Sequence, residues 1–572
     1  MDHLEIDLPE AYQPAYRSAL KALESGKIID RIWEADYTVW SDQPDEILNR
    51  LGWLDIADRM RHEVADLTAF AEEVAADGYR QAVVMGMGGS SLAPDVLSRI
   101  FPVADGRLSI HVLDSTDPAA IISLERSLDL AKTLFLVATK SGTTVETLSF
   151  FRYFYNQVAA VVGDEAAGRH FAAITDPGSP LIARARQHSF RRIFANDPNI
   201  GGRYSALTYV GLVPAALMGM DLEGLLDDAT EMADRCRPGV DVNENPAARL
   251  GSALGELAVA GRDKLTLLGS PGIAAFGDWV EQLIAESTGK SGTGILPVVR
   301  EPLGAPGVYG PDRLFAVISL RGEDFDRSAL SGLQAAGNPV IHIEIPDRYA
   351  LGGQVFLWEM STSIAGQRLS IHPFNQPNVE SAKKRAHKMT EAYREQGQLP
   401  SERPLIQEGG LAYFIGSPGE ASQDTSPATL RRALSELLGR AQAGSYLALQ
   451  AYLPPSPELD AALRDLRVAL RNQTRMAVTL GYGPRFLHST GQLHKGDAGR
   501  GLFLQLTGSD PTDLAIPQEA GRPESDITFG TLIEAQALGD RQALVDAGRV
   551  VARLDLGSKT IAGVRTVTRW FN

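Results

Sequence analysis

Ala82-Val83-Val84-Met85-Gly86-Met87-Gly88-Gly89-Ser90-Ser91-Leu92-Ala93-Pro94-Asp95 is the stretch whose reading decides the fold. An apolar run with β-branched residues stops at glycines, two hydroxyl residues follow, and a helical pattern starts with Pro94 in its first turn. This order predicts a strand, a tight loop and a helix N-terminus, which turns backbone N–H groups and a positive dipole end toward an anion. Gly88 and Gly89 let the backbone approach a phosphate closely, and Ser90 adds a hydroxyl. The spacing argues against two better-known loops. A dinucleotide fingerprint starting at Gly86 needs glycine where Ser91 stands, and a P-loop needs a lysine after the last glycine. Gly289-Lys290-Ser291 lacks its leading glycine, because position 284 is Ile284. A phosphate loop and an ordinary βα turn remain as alternatives.

A second loop raises the first alternative. The buried-type run Thr133–Ala138 enters Thr139-Lys140-Ser141-Gly142-Thr143-Thr144-Val145-Glu146-Thr147, and a helix rich in Phe150, Phe151 and Tyr155 comes next. The hydroxyls of Thr139, Ser141, Thr143 and Thr144 can hold phosphate oxygens while Lys140 balances charge. Thr143-x-x-Glu146 also has the spacing of a capping box, so Glu146 alternatively closes the helix end.

Outward from these loops the chain alternates strands and helices, which predicts an α/β protein with mostly parallel sheets. Residues 1–79 read as a helical segment covering the adjoining domain, with Trp40 and Trp53 as anchors. Residues 80–240 carry strands at Ile110–Leu113, Thr133–Ala138, Phe171–Thr175 and Arg192–Phe194, and a buried helix over Tyr204–Met220. Residues 241–398 begin alike, with the strand Leu265–Gly269 and a helix Ile273–Ser287, then strands Ile295–Val299, Phe315–Leu320 and Val340–Ile345. Helices at about 351–369 and 379–393 end that unit. Gln396–Glu402 reads as a linker, and residues 399–572 as a third α/β domain. Two related domains with a cleft between them are a common place for a ligand.

Composition narrows the function. The 572 residues carry a net charge of −16, which argues against a nucleic-acid partner. The single cysteine, Cys236, permits no internal disulfide and fits a reducing compartment. Met1-Asp2-His3-Leu4-Glu5 has no apolar signal core, and the longest uncharged run, Tyr204–Met220, is short of the ~20 apolar residues of a membrane span. These features predict a cytoplasmic protein with no membrane contact. No His-Glu-x-x-His and no cysteine pair is present, so no metal is expected, and neither is a G-x-S-x-G elbow.

Five motifs in order carry a family resemblance: Gly86-x-Gly-Gly-Ser90, Thr139–Thr147, Gly201-Gly-Arg203-Tyr-Ser205, Glu286-Ser-Thr-Gly-Lys290 and Phe374-Asn-Gln376-Pro-Asn-Val-Glu-Ser-Ala-Lys383. Together they cover about residues 80–390 and resemble the glucose-6-phosphate isomerases. The chain looks most like the isomerase half of bifunctional transaldolase/glucose-6-phosphate isomerase proteins, a likeness that extends to the C-terminus without a transaldolase barrel. The resemblance implies two sugar-isomerase (SIS-type) domains, a cofactor-free interconversion of glucose 6-phosphate and fructose 6-phosphate, and a transaldolase as a candidate partner. It leaves the oligomeric state open.

Glu286 lies late in its predicted helix, spaced i, i+4, i+7 with Trp279 and Leu283 at the edge of the apolar stripe. On pattern alone it reads as a rim ion-pair residue or as a partly desolvated general base; the resemblance implies the base that moves a proton between C1 and C2. For Arg203, a local cap is the pattern reading, and stabilisation of the enediolate is the implied one. Lys383, beside Val379 on its helix, and Gln376 match the pair that contacts the sugar and assists ring opening. One departure stands out. The family's ring-opening histidine sits in a Gly-x-x-Gly-Gln-His segment, and here the corresponding stretch, Gly304–Leu314, places Asp312 there. Phe486-Leu-His488-Ser-Thr-Gly-Gln-Leu-His494-Lys-Gly496 in the third domain offers replacements, His494 first and His488 second; alternatively both histidines only stitch the domains together. A non-catalytic sugar-phosphate regulator on the same fold is the runner-up, since it would need the two loops but neither Glu286 nor Lys383. A dinucleotide enzyme is disfavoured by Ser91.

Overall fold

The structure, a computed structural model, describes residues 3–323, 325–400, 402–416, 428–509 and 512–572, with the backbone alone at positions 380–384 and 387. The described chain starts with a strand, β1 (His3–Asp7), ahead of the helices expected over the first segment, which include Gln13–Ser25 and Val64–Ala76. This corrects the all-helical reading. Alternation in Leu4-Glu5-Ile6 buries Leu4 at a sheet edge, a short signal hidden beside long helices.

The first sheet holds β2 (Gln81–Met85), β3 (Ser109–Leu113), β4 (Thr133–Ala138), β5 (Phe171–Thr175) and β6 (Arg192–Ala195), in the order β3-β2-β4-β5-β6 with every pair parallel. All six residues of β4 are buried, as a strand covered on both faces requires. Each large apolar side chain fully buried there contributes roughly 1.5–3 kcal/mol. The sheet order reverses between β2 and β4, and a crevice opens beyond the carboxyl ends of such a strand pair. Both candidate loops leave from those two ends.

The second sheet holds β7 (Lys264–Gly269), β8 (Leu296–Val299), β9 (Arg313–Leu320) and β10 (Val340–Ile345), with β1 antiparallel on β10. Its parallel strands run β8-β7-β9-β10, the same order of first four strands as the first sheet. The third sheet holds β11 (Ile406–Glu408), β12 (Leu411–Ile415), β13 (Tyr446–Tyr452), β14 (Ala477–Tyr482), β15 (Gly501–Thr507) and, after the small hairpin of β16 (Ala515–Pro517) and β17 (Ser525–Thr528), β18 (Val550–Asp555). Its parallel core, β14-β13-β15-β18, repeats that order a third time. Antiparallel β12 and β11 extend it beyond β18.

One core joins the N-terminal segment to helices and strands of the first two units. Trp53 is fully buried there and stacks on Tyr204 at 5.4 Å, while Trp40 donates Nε1–H to the Ser363 carbonyl at 2.8 Å. The buried helix expected over Tyr204–Met220 is shorter, Tyr209–Met218, because Thr208 caps it by accepting from the Val210 N–H and Gly202–Tyr204 takes a separate 3₁₀ turn. The third unit straddles the other two. Tyr446, Ala448 and Phe503 pack on Leu296 and Val298 of β8, and Ile516, Ile527, Phe529 and Leu532 pack on the first unit's Phe150 and Phe154. Phe529 starts a helix, Phe529–Asp546, that the sequence reading leaves unassigned. It lies against the helix Val379–Gln396 so closely that a Cβ on Gly539 would stand 2.7 Å from the Ala386 nitrogen. The linker expected over Gln396–Glu402 begins at Gly397, left-handed at φ 71°, and Glu402 ends in ion pairs with Arg541 and Arg553.

Candidate active site

A cleft of about 1220 Å³ opens at the β2/β4 crevice. Gly89, Ser90, Thr139, Lys140, Ser141, Thr143, Thr144 and Glu146 line it, together with Gln376 from the second unit and His488 and Gln536 from the third. Gly88 lies behind that wall with φ 55°, and a Cβ there would stand 2.6 Å from the His488 carbonyl oxygen. A Cβ on Gly89 would meet the Gly202 carbonyl at 2.2 Å. The glycines therefore let the first loop seat against two other chain segments, as well as leaving backbone open to the cleft.

The second loop is pre-tied within itself. Thr139 Oγ1 and Thr144 Oγ1 are 2.8 Å apart, Ser141 Oγ and Thr143 Oγ1 2.8 Å, and the Thr143 N–H donates to Ser141 Oγ. Gly142 takes φ 69° with Ser179 Oγ packed beneath it. Lys140 does not stand free: Nζ donates to Asp176 Oδ2 at 2.5 Å and to the Pro198 carbonyl at 3.0 Å. Burial raises the Asp176 carboxyl above its ordinary range and Lys140 opposes that. The Lys140–Asp176 pair thus fixes one flank of the loop, while the hydroxyls face the cleft.

Glu146 follows in the first turn of the helix Val145–Val162, whose N-cap residue, Thr144, makes no side-chain capping bond. Its Oε1 accepts from Gln536 Nε2 at 2.8 Å and lies 3.1 Å from His488 Nε2. The partners of this carboxylate thus include two groups of the third domain, which the capping-box alternative does not account for. Gln536 sits on the unassigned helix, and nothing in its local sequence marks it.

The inner end of the cleft is built around Arg203. The Arg203 guanidinium is 2% exposed; Nε donates to Ser287 Oγ, Nη1 to Gln376 Oε1 at 3.0 Å and Nη2 to the Pro373 carbonyl, and Nη1 lies 3.4 Å from Glu286 Oε1. A buried guanidinium needs such a fork of acceptors to offset its desolvation. Glu286, on the helix Phe276–Thr288, also accepts at Oε2 from Gln282 Nε2, whose N–H₂ donates to the His488 carbonyl as well. Neither Arg203 nor Glu286 is part of the cleft wall itself; they adjoin it through Gln376, Gly202 and His488. Lys290, one turn past Glu286, donates to the His372 and Asn375 carbonyls, and burial with the nearby Arg203 charge holds its ammonium well below the usual lysine range. Gln282 and Lys290 were legible in principle as the i−4 and i+4 neighbours of Glu286. The side chain of Lys383 lies outside the described residues; its backbone belongs to the helix Val379–Gln396, and Val379 lines the cleft.

The third domain reaches the site through the segment after β14, as expected, but with the opposite histidine. His488 lines the cleft. His494 is 2% exposed, walled by the rings of Tyr446, Phe486 and Phe503, with no hydrogen-bond partner for either ring nitrogen among the described residues and no place in the cleft wall. Burial, with Lys495 and Arg549 close by, depresses its basicity well below the usual imidazole range. The reason is local helix geometry: the turn Gly491–Gly496 directs position 494 into the interface between sheets, while the preceding 3₁₀ turn Arg485–His488 faces the cleft. Arg485 clamps that turn, with Nη2 donating to Asp95 Oδ2 at 2.6 Å and Nε 3.3 Å from Asp114 Oδ2. Asp312, in the stretch corresponding to the family's histidine segment, lies 4.0 Å from Lys264 Nζ and is not part of the cleft wall.

Among the described residues no group of three or more His, Cys, Asp or Glu is arranged to hold a metal ion, and no helix is long and apolar enough to cross a membrane.

Comparison with known proteins bears on this geometry. A family model described as phosphoglucose isomerase matches residues 53–292. A glucose-6-phosphate isomerase of Rubrobacter xylanophilus is 29% identical over 421 residues, 64% of this chain and 93% of its own. One of Methanocaldococcus jannaschii is 27% identical over 54% of this chain and 84% of its own. Among solved structures, a glucose-6-phosphate isomerase of Chlamydia trachomatis superposes with a TM-score of 0.56 at 19% identity, covering 66% of this chain and 86% of that one. A hypothetical protein of Thermus thermophilus does so with 0.58 at 24% identity, over 67% and 99%. These two structures speak to the fold. The matched residues 53–292 take in both loops, Arg203, Glu286 and Lys290, so the likeness to the phosphoglucose isomerase family falls on the part of the chain that builds the cleft.

Proposed function

We propose that the chain interconverts glucose 6-phosphate and fructose 6-phosphate at this cleft, using residues of all three α/β domains. The carrying observation is the Arg203–Glu286 pair, 3.4 Å apart, at the inner end of a cleft whose outer wall holds two hydroxyl-rich loops. In this reading the phosphate rests on Ser90, Thr139, Ser141, Thr143, Thr144 and the backbone N–H groups beside them, with Lys140 and Asp176 fixing the loop. The sugar carbons then extend toward Gln376. Glu286 takes the proton from C2 of the open-chain aldose and returns it to C1, and Arg203 meets the negative charge that builds on the enediolate oxygens. His488, oriented by Glu146 and Gln536, protonates the ring oxygen as the C1–O5 bond breaks. Lys383 keeps the supporting part in ring opening that the motif resemblance gives it.

The same reading takes the domains as 1–79, 80–240, 241–398 and 399–572, with β1 crossing from the first into the second sheet. It also takes the chain as the isomerase half of the bifunctional transaldolase/isomerase proteins, acting in the cytoplasm. The support there is the motif resemblance, the single cysteine and the third domain's part in the site. A regulator that only senses sugar phosphate would need the two loops but not Glu286. Glu286→Gln decides between them. It should keep sugar-phosphate binding while losing turnover and solvent deuterium exchange at C2, by about 10²–10⁴-fold. Near-normal isomerase rates in that variant would refute the assignment.

A further inference from the structure

The cleft is larger than the ~300–1,000 Å³ that a drug-sized ligand occupies, and it runs past the second loop into an outer lobe. Three arginines converge there from three helices: Arg152 from Val145–Val162, Arg184 from Pro180–Gln187 and Arg394 from Val379–Gln396. Arg394 is paired with Asp526 at 2.9 Å. Among the described residues, neither Arg152 nor Arg184 makes an ion pair. Arg152 donates to the Leu148 and Gln518 carbonyls and to Ser149 Oγ. Arg184 donates Nη1–H to the Gly142 carbonyl at 3.2 Å, so its guanidinium abuts the loop proposed for phosphate. Of the five N–H groups on each guanidinium, two on Arg152 and four on Arg184 donate to no other group among the described residues. Of the acidic groups on the cleft wall, Glu519 lies 3.3 Å from Arg522, Asp176 accepts from Lys140, and Glu146 is held by Gln536 and His488. Burial and the neighbouring Arg184 and Arg394 charges lower the basicity of Arg152, and Asp526, the partner of Arg394, opposes them only in part.

We propose that the outer lobe is a second anion subsite, which takes the second phosphoryl group of a ligand whose first sits on the Ser141–Thr144 loop. Arg184 stands at the border of the two positions, and Arg152 closes the outer one with a forked, charge-assisted contact. The ligand is thus a molecule with two linked phosphoryl groups, either a phosphoanhydride or a bisphosphorylated sugar, and it competes with the monophosphate substrate. This rests on the loop reading above, and the test separates the two.

Orthophosphate, pyrophosphate and fructose 1,6-bisphosphate are titrated calorimetrically into the full chain at one fixed ionic strength. At least one of the two-phosphoryl probes should bind about tenfold or more tighter than orthophosphate, and which one does reports the spacing between subsites. Arg152→Gln and Arg184→Gln, each checked for an unchanged melting temperature, should cut that advantage to about threefold or less. Equal affinity for all three probes overturns the proposal, and so does a tight two-phosphoryl probe that neither variant weakens. Failure of the loop reading looks different: Ser141→Ala with Thr143→Ala would leave orthophosphate binding unchanged. Should one arginine variant melt early, the other still decides.

Discussion

The first and third α/β domains share one strand order and differ in what their loops carry. In the first, the carboxyl ends of β2 and β4 release Gly86–Ser90 and Thr139–Thr147, and a cleft opens over them. In the third, the equivalent strands, β13 and β15, release Leu453-Pro454-Pro455-Ser456 and Gly508-Ser509, and neither stretch is part of that cleft's wall. Ser456 caps its helix instead, accepting from the Leu459 N–H. The third domain reaches the cleft from its edge strand, through the turn after β14. Topology supplies the crevice, but side chains at its rim decide whether it becomes a site.

The sharpest way to break this contrast is His488→Ala. It should lower turnover of cyclic substrate by about 10²–10⁴-fold while sparing proton exchange on open-chain sugar phosphate. Equal loss of both activities would make His488 a structural residue of the third domain. A milder pair of changes compares the loops directly. Ser141→Ala with Thr143→Ala should raise KM for fructose 6-phosphate by roughly tenfold per lost hydrogen bond to the phosphate, with kcat less affected. Ser456→Ala should leave both constants alone and cost about 0.5–2 kcal/mol in denaturant unfolding, the worth of an N-cap. A KM shift in Ser456→Ala would mean that the third domain keeps a working crevice of its own.

The smallest effect expected is at His494. Its folded-state basicity is depressed, so the unfolded chain takes up a proton as pH falls below ~6.5 while the folded one does not. Stability is therefore intact above that pH and lost below it, by up to about 1.4 kcal/mol per pH unit. His494→Leu should remove this acid sensitivity in urea melts between pH 7 and 5 and leave isomerase turnover within about twofold. A large drop in kcat would return His494 to the catalytic group.

Much of this was legible in the sequence because period and punctuation carry it. β4 and β5 match their expected limits, since unbroken apolar runs bounded by Gly and hydroxyl residues admit few other readings. The two loops were legible for the same reason. Their companions from elsewhere in the chain were not. Gln536 becomes part of the site only because Phe529–Asp546 docks across the cleft, a tertiary event that 390 residues of separation hide. The order of the two histidines was likewise out of reach. Both follow the same strand; the 3₁₀ turn Arg485–His488 sets one in the cleft, and a six-residue helix places the other among three aromatic rings.

β1 couples the site's second domain to the timing of synthesis. Its five residues pair with Val340–Glu344, so the edge they close has no partner strand until more than half of the chain has been made. At roughly 5–20 residues per second that interval is on the order of tens of seconds. During it the His3–Asp7 segment has no β10 to join, and a newly made β10 exposes a hydrogen-bonding edge until the segment arrives. A chain lacking residues 3–7 should thus keep its cleft residues yet show the difference in refolding yield, through pairing between copies at β10.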